Sequence, residues 1–313
     1  MKKTHKKHKF IYFIVFVFIV AIAAVAGWYF HHTKVAVLDP KGPIALKEYH
    51  LFIFAILLSL LVVIPVYVLL ISFAWKYRES NKNAKYSPEL DGNKIAETIW
   101  WLIPSALIGV LAVIAWNSSH TLNPYTPIQS NTKPMLIQVV ALDWKWLFIY
   151  PQENIATVNF IQIPTQTPIN FEITSDTVMN SFWIPQLGGQ IYAMPGMSTE
   201  LNLLASTNGN FYGSSANISG EGFAGMNFTT KATSAADFYE WVNQVKQSPS
   251  TLNLAAYNTL ARPSEYNKAA IYSSAQYGLY NSIIDKYMLP PSPVKSPSSS
   301  PSTISNMPEM EMQ

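Results

Sequence analysis

Three long apolar runs occupy the first part of the chain, at residues 10–30, 51–74 and 95–116. Each run is long enough to cross about 30 Å of hydrocarbon as a helix. Pro65 interrupts the second run, which membrane helices tolerate. The pattern predicts a transmembrane helical hairpin over residues 37–120. It is preceded by a segment, residues 1–36, that is either a signal sequence or an uncleaved membrane anchor, and the length of its apolar run favours the anchor.

Basic residues beside these runs predict the orientation. Residues 1–9 contain five lysines, and residues 75–94 contain five lysines and arginines. Basic segments stay in the cytoplasm, so both lie inside and the chain from residue 117 onward lies outside if all three runs span.

From residue 133 to 231 the apolar positions alternate with polar ones, and β-branched and aromatic residues become frequent. This pattern predicts six short strands at residues 135–141, 144–150, 157–163, 168–174, 199–205 and 226–231. Short antiparallel strands in so compact a stretch favour a β-sandwich or small barrel. The predicted outer domain covers residues 121–232.

A helical period returns after residue 231. Ser234 and Asp237 have the spacing of a capping box. The helical faces that follow comprise Phe238, Trp241, Val242 and Val245, and then Tyr280, Ile283, Ile284, Tyr287 and Met288. We therefore predict an aromatic-rich helical C-terminal region at residues 233–289. Residues 290–313, rich in proline and serine, are predicted to be a disordered tail.

The amino-acid composition limits the kinds of protein and of functional site that are possible. Hydrophobic residues make up 49% of the chain and charged residues 12%, which is typical of a membrane protein. The net charge of +3 is too small to indicate a nucleic-acid partner. There is no cysteine, which excludes disulfides, cysteine-bound iron–sulfur clusters, thiolate-bridged or blue copper, and a cysteine nucleophile.

The stretch at residues 213–226 is rich in glycine and serine, and we predict a tight loop rather than a strand or helix. A loop around a binuclear copper centre has the spacing C-x₃-C-x₃-H-x₂-M, in which two thiolates bridge the metals. The frame aligns here with Ser215, Ser219, Phe223 and Met226. Three of its four ligands are therefore replaced.

The segment at residues 178–196 resembles the subunit II family of haem–copper respiratory oxidases, where it reads V-x-H-S-x-x-x-P with a later P-G. The copper histidine of the family falls on Asn180, and a glutamate that lends its backbone carbonyl falls on Asn217. Because these ligands are lost, the sequence most resembles the cytochrome bo-type ubiquinol oxidase branch of the family, which has the same defect. The resemblance extends over residues 38–288, most clearly at 74–88 and 141–151. It implies a cupredoxin-like barrel for the outer domain.

This resemblance implies a subunit of a proton-translocating ubiquinol oxidase in the bacterial plasma (inner) membrane, with the C-terminal domain on the periplasmic side. Ubiquinol oxidation and O₂ reduction would take place in subunit I, at its haems and one copper. This chain is then expected to carry no catalytic residue, cofactor or copper. It would act as a scaffold beside subunits I, III and IV and the lipid bilayer, and ubiquinol would bind through subunit I.

Glu97 is the candidate functional side chain, because an acid inside a membrane helix is unfavourable unless it faces protein or water. In the resembling family a glutamate seven residues before a proline, here Pro104, stands at the cytoplasmic mouth of a proton-uptake channel in the neighbouring subunit. The alternative is that Glu97 only complements the dipole at its helix N-terminus. Both interpretations remain open.

Other candidates have simpler interpretations. A lone Met226 thioether cannot hold copper against water and is expected to pack in the barrel. Ser215 and Ser219 have no nearby base that would make either a nucleophile. The histidines flanking the first apolar run match no metal-site spacing. Trp144 and Trp146 are predicted on one strand face; an aromatic here receives the electron from cytochrome c in copper-bearing relatives, but packing is expected.

Two other functions compete with the ubiquinol oxidase interpretation. One is subunit II of a cytochrome c oxidase, against which the replaced positions Asn180, Ser215, Asn217, Ser219 and Phe223 argue. The other is a membrane-anchored cupredoxin-like binding module. The spacing from Glu97 to Pro104 and the aromatic C-terminal helices favour the oxidase over it.

Overall fold

A computed structural model of the chain describes residues 35–79, 81–82 and 92–288, with six isolated positions between residues 17 and 28. The predictions for the N-terminal anchor, for most of the basic loop between the two long helices and for the tail from residue 290 lie outside the described residues.

Two long helices follow a 3₁₀ turn at Ala36–Leu38: α1 spans Pro43–Lys76 and α2 spans Lys94–Thr121. Pro43 suits the first turn of α1, where no backbone N–H is needed, and the Asn93 side chain caps α2 by accepting from the next backbone N–H groups. Both are long and apolar enough to cross a membrane, and their spanning windows are exposed. The predicted helical hairpin is confirmed.

Eleven strands in the described part of the chain form two packed sheets. In chain order they are β1 Met135–Leu142, β2 Lys145–Tyr150, β3 Ile155–Val158, β4 Phe160–Pro164, β5 Ile169–Ser175, β6 Asn180–Trp183, β7 Ile191–Ala193, β8 Thr199–Leu203, β9 Gly209–Ser215, β10 Asn227–Thr233 and β11 Ala270–Tyr272. The six-stranded sheet has the order β11-β3-β2-β1-β5-β8, and the five-stranded sheet has the order β4-β10-β9-β6-β7. The cupredoxin-like β domain predicted from the sequence is confirmed.

The pairing is mixed rather than wholly antiparallel, so that part of the prediction is wrong. β1 lies parallel to β5, from Met135 opposite Ile169 to Ala141 opposite Ser175, and β4 lies parallel to β10. Parallel neighbours need a crossover between them, and here the chain crosses from one sheet to the other before it returns.

Aromatic rings fill the space between the sheets. Phe182 and Phe228 are stacked with centroids 5.1 Å apart, and Trp146 meets Phe182 edge-on at 5.4 Å. All three rings are buried. Burying each such side chain contributes about 1.5–3 kcal/mol, with roughly 0.5–1.5 kcal/mol more for a well-placed aromatic pair. This core holds the two sheets together.

Three helices complete the described chain: α3 Ala235–Lys246, α4 Leu254–Leu260 and α5 Leu279–Met288. The predicted cap of α3 is confirmed, because Ser234 Oγ accepts from the Asp237 N–H at 3.2 Å. Helices α4 and α5 cover the outer face of the six-stranded sheet and form a second core. That core includes Leu142, Leu147, Tyr257, Leu279 and Ile283.

Two local predictions are wrong. The strand predicted at residues 157–163 is two strands, because Asn159 adopts a φ of 53° and turns the chain between them. The stretch at 213–226 is not all loop: residues 213–215 complete β9, and Glu221–Gly225 forms a 3₁₀ turn. Strands β6, β7, β9 and β11 were not predicted.

Candidate functional site

The first turn of α1 is anchored on the β domain. Ala45 N donates to Leu187 O at 3.2 Å, and Lys41 N donates to Gln186 O at 2.7 Å. Ser206 N in turn donates to Lys41 O at 2.8 Å. A helix N-terminus has unpaired N–H groups, and the Leu187 carbonyl satisfies one of them. These bonds fix where the membrane hairpin meets the β domain.

The copper-frame residues Asn180 and Ser215 come together because β6 begins where β9 ends. Ser215 Oγ lies 3.2 Å from Asn180 Oδ1 and 3.2 Å from Asn217 O. Asn180 is fully buried and its Nδ2 donates to Val178 O at 3.0 Å, while Asn217 Nδ2 donates to Met179 O at 3.0 Å. A polar network therefore joins the two loops.

Met226 lies at the end of the same loop, and its side chain is buried in the core between the sheets. Its backbone carbonyl accepts from Ser215 N at 3.1 Å, and its N–H donates to Phe223 O at 3.0 Å. Ser219 Oγ is buried and has no hydrogen-bond partner among the described residues. Phe223 is half-buried in the 3₁₀ turn. The loop is thus closely packed, and the Met226 side chain lies in the core between the sheets.

These residues do not fit a binuclear copper centre. Such a centre needs bridging thiolates and imidazole ligands, whereas this network offers amide and hydroxyl groups. Across residues 35–79, 81–82 and 92–288, no three His, Asp or Glu side chains are grouped closely enough to hold a metal ion.

Trp144 and Trp146 were predicted on one face of a strand; both pack against the core between the sheets, but only Trp146 lies within a strand. β2 begins at Lys145, and Trp146 enters the core between the sheets. Trp144 precedes the strand and covers the loop, where its Nε1 donates to Ser219 O at 3.1 Å. A Cβ at Gly222 would lie 2.6 Å from the Trp144 ring, so this close contact requires glycine.

Lys145 is a structural residue that the sequence analysis missed. Its side chain is buried, and Nζ donates to Leu260 O at 2.9 Å and to Arg262 O at 2.7 Å. Burial lowers the pKa of the ammonium group, partly offset by Asp143. Lys145 therefore holds the C-terminal end of α4 against the sheet. A lysine between two tryptophans in an apolar stretch was the available signal.

Asp176 is the second residue that the sequence analysis missed. Its side chain is 3% exposed, and it accepts from Lys286 Nζ at 2.7 Å and from the Tyr287 hydroxyl at 2.9 Å. Tyr257 donates to its other oxygen at 2.5 Å. Burial first, and then the hydrogen bond to Asp176, raise the pKa of Tyr257 far above its usual value. One carboxylate thus joins α4, α5 and the β domain.

Glu97 lies in the first turn of α2, where its side chain is exposed and its N–H donates to Asn93 O at 2.9 Å. An open groove beside it is lined by Lys94, Trp101 and Ser105 among others. Glu97, Trp101 and Ser105 are four residues apart and share one helix face. The position suits both a dipole-complementing acid and a proton entry point, so the role of Glu97 stays a prediction.

Comparison with known proteins follows the same division of the chain. Residues 31–118 match the family model for the transmembrane domain of cytochrome c oxidase subunit II, and residues 152–233 match the model for its periplasmic domain. Residues 246–290 match the COX aromatic rich motif.

Curated relatives match over most of their length. The cytochrome bo(3) ubiquinol oxidase subunit 2 of Pseudomonas putida is 53% identical over 251 residues, which is 80% of each chain. The ubiquinol oxidase subunit 2 of Acetobacter aceti is 50% identical and covers 80% of this chain and 82% of its own. The quinol oxidase subunit 2 of Bacillus cereus is 38% identical over 74% of this chain and 79% of its own.

Proposed function

Because the chain belongs to the oxidase subunit II family, in its cytochrome bo-type ubiquinol oxidase branch, we propose that it is the scaffold subunit of a proton-translocating ubiquinol oxidase. In this proposal the complex oxidises ubiquinol and reduces O₂ to water in the bacterial inner membrane. Haems and one copper in subunit I carry out the electron transfer. This chain binds subunit I, with subunits III and IV completing the complex, and contributes no catalytic residue.

The observation that carries this proposal is the contact of Ser215 with Asn180 and Asn217. In the aligned frame of the family these positions surround a copper pair. Here the Ser215 hydroxyl lies at hydrogen-bonding distance from the Asn180 side chain and from the Asn217 backbone carbonyl, so protein groups hydrogen-bond to one another at these positions. Polar groups buried in this way are stable because they are hydrogen-bonded to one another.

The chemistry of the electron donor explains why such a loop can be retained without a copper centre. Cytochrome c is a water-soluble protein, so its electrons need a carrier on the periplasmic side. Ubiquinol dissolves in the bilayer and reaches a membrane-embedded haem directly. The β domain then serves assembly, and its aromatic core and anchored helix hairpin support that role.

We propose a division of labour along the chain. Residues 1–36 are a signal or membrane anchor, and residues 37–120 form the hairpin that packs on subunit I. Residues 121–232 form the cupredoxin-like periplasmic domain. Residues 233–289 are the aromatic-rich extension fastened by Lys145 and Asp176, and residues 290–313 are the tail.

Glu97 is proposed to take up protons for subunit I. It lies at the basic, cytoplasmic end of α2 under the predicted topology, and its exposed carboxylate leaves it accessible to a partner helix. The groove next to it contains the Ser105 hydroxyl one helical turn beyond Trp101. A carboxylate followed by a hydroxyl group on one helix face supplies hydrogen-bonding groups at the mouth of a proton path.

The test is to purify the native complex through this subunit in mild detergent. Oxygen uptake is then measured with ubiquinol and with reduced cytochrome c, and copper is counted per complex. Uptake with ubiquinol alone, with copper only in subunit I, supports the proposal. Uptake with cytochrome c and additional copper in this chain would assign it to the cytochrome c oxidases. Purification without any haem-containing partner would favour a binding module.

A further inference from the structure

A cavity of about 430 Å³ lies where the two membrane helices meet the β domain. One wall comes from the start of α1, and a second from the segment that follows α2. The β domain forms its floor, at Gly189 and Gln190 in the loop before β7 and at Leu201 in β8. Its volume is within the range of small-molecule binding pockets.

Two adjacent residues of opposite charge line this cavity. Lys47 and Glu48 both project from the second turn of α1. Neither side chain forms an ion pair with any residue in the described part of the chain. The cavity therefore offers a cation and an anion side by side, each available to a ligand.

The Glu48 carboxylate points towards the β domain. Its Oε1 lies against Gly189, where a Cβ would be only 2.8 Å away. Glu48 is half-buried, whereas Lys47 is exposed at the rim. A half-buried carboxylate inside and an exposed ammonium outside favour a ligand that presents its positive end first.

The location identifies the kind of ligand. The cavity opens at the periplasmic ends of two helices, beyond their long apolar segments, which is the level of lipid headgroups. We propose that the cavity binds the zwitterionic headgroup of an ethanolamine phospholipid. The ligand ammonium donates to the Glu48 carboxylate, and the phosphate accepts from Lys47. The acyl chains run down the apolar surface of α1.

The chemistry separates this lipid from others. A primary ammonium group has N–H donors for a carboxylate, and charge-assisted hydrogen bonds of this kind are the strong ones. A choline headgroup has a positive charge but no N–H, and a glycerol headgroup has no positive charge. The side chains of Asn123 and Gln190 add neutral polar groups to the same cavity. Of these three headgroups, only ethanolamine pairs with both charges and also donates N–H groups to the carboxylate.

The first measurement is native mass spectrometry of the intact purified complex, titrated with dioleoyl phosphatidylethanolamine, phosphatidylcholine or phosphatidylglycerol. We expect retained ethanolamine lipid to fall about 100-fold in the variant carrying Lys47→Gln and Glu48→Gln, because it loses two charge-assisted hydrogen bonds that contribute about tenfold each. The exposed pair Glu221→Gln and Lys268→Gln is the matched control and should retain the lipid. Equal retention of all three lipids, or no effect of the variant, would overturn the proposal.

A second measurement locates the lipid without depending on the variants. A phosphatidylethanolamine with a free ammonium group and a diazirine at the glycerol end of one acyl chain is added to the complex and irradiated, and the labelled positions are mapped by peptide mass spectrometry. The proposal expects labelling within residues 121–129 and 186–190 of this chain. Labelling of other segments only, or shielding of these residues by a protein partner, would refute it.

Discussion

The Asp176 carboxylate accepts a hydrogen bond from the Tyr257 hydroxyl at 2.5 Å, and this contact joins the β domain to α4. The same side chain binds Lys286 and Tyr287 of α5. Asp176 follows directly after β5, so its backbone is fixed by the sheet. The aromatic-rich extension is therefore attached through a single buried acid as well as through its apolar contacts.

Replacing Asp176 by alanine should release this extension. Hydrogen bonds to a charged group contribute about 1.5–3 kcal/mol, and a buried hydroxyl left without a partner costs roughly 1–3 kcal/mol. We expect D176A to weaken docking by about 3 kcal/mol. Proteolysis within residues 254–288 should then accelerate about 100-fold, where cleavage follows the open population. The exposed Asp285→Ala is the control, and equal cleavage of the two variants would contradict the prediction.

High pH should destabilise the same extension. Burial and Asp176 raise the pKa of Tyr257, and burial raises the pKa of Tyr280, from an ordinary value of 10.0. Above pH 10.0 these hydroxyls ionise when the extension is detached but stay protonated when it is docked. The stability that they contribute is complete below that pH and declines as pH rises.

The measurement is the near-ultraviolet absorbance of ionised tyrosine during a titration upward from neutral pH. Buried tyrosines should titrate in a cooperative step as the extension detaches. Tyr257→Phe should shrink that step, and Tyr277→Phe, at an exposed position, should leave the step unchanged. A gradual titration of every tyrosine in the parent would be inconsistent with this prediction.

Glu97→Ala should slow steady-state oxygen uptake while the complex still assembles. We expect a decrease of about tenfold or more, since positioned proton-transfer groups contribute on the order of 100-fold when their step limits the rate. Asn93→Ala is the informative control. It removes the cap of α2, at a cost of about 1 kcal/mol, and leaves the carboxylate in place. If both variants slow oxygen uptake equally, Glu97 acts by stabilising the N-terminus of α2 and not by transferring protons.

Gly222→Ala should disturb the former copper loop by steric overlap with Trp144. The added Cβ would meet the ring at 2.6 Å, and overpacking of this kind costs about 1–3 kcal/mol. The decrease in stability can be measured by thermal unfolding of the complex. Combining it with Trp144→Ala removes the overlap, so the double variant should be no less stable than Trp144→Ala alone. Additive losses would exclude this clash as the cause.

The sequence predicted elements whose signal is local. The apolar runs predicted the two long helices α1 and α2, and the Ser234 cap predicted the start of α3. Features formed by distant residues were missed. Nothing near Asp176 indicates Tyr257, which lies 81 residues later along the chain, and nothing near Lys145 indicates that the C-terminal end of α4 supplies its acceptors.

The former copper loop was predicted in part. The ligand spacing of the loop gave the position of Ser215 and the family resemblance gave that of Asn180, and these two side chains are in contact. The strand character of residues 213–215 was hidden, because glycine and serine have little β propensity. Pairing with β6 and β10 holds them as a strand regardless. The turn at Asn159 was missed because a distant contact fixes it: the Asn159 side chain accepts a hydrogen bond from Trp146 N.

The bonds between Lys41, Ala45 and the β domain also bear on the order in which the protein is made. The segment before α1 leaves the ribosome long before Leu187 and Ser206, to which it hydrogen-bonds. It must therefore wait on the far side of the membrane until the β domain has been translocated. The β domain then folds onto a segment that is already tethered in the bilayer. Insertion of α1 into the membrane thereby positions the segment around Lys41 and Ala45 before the β domain folds against it.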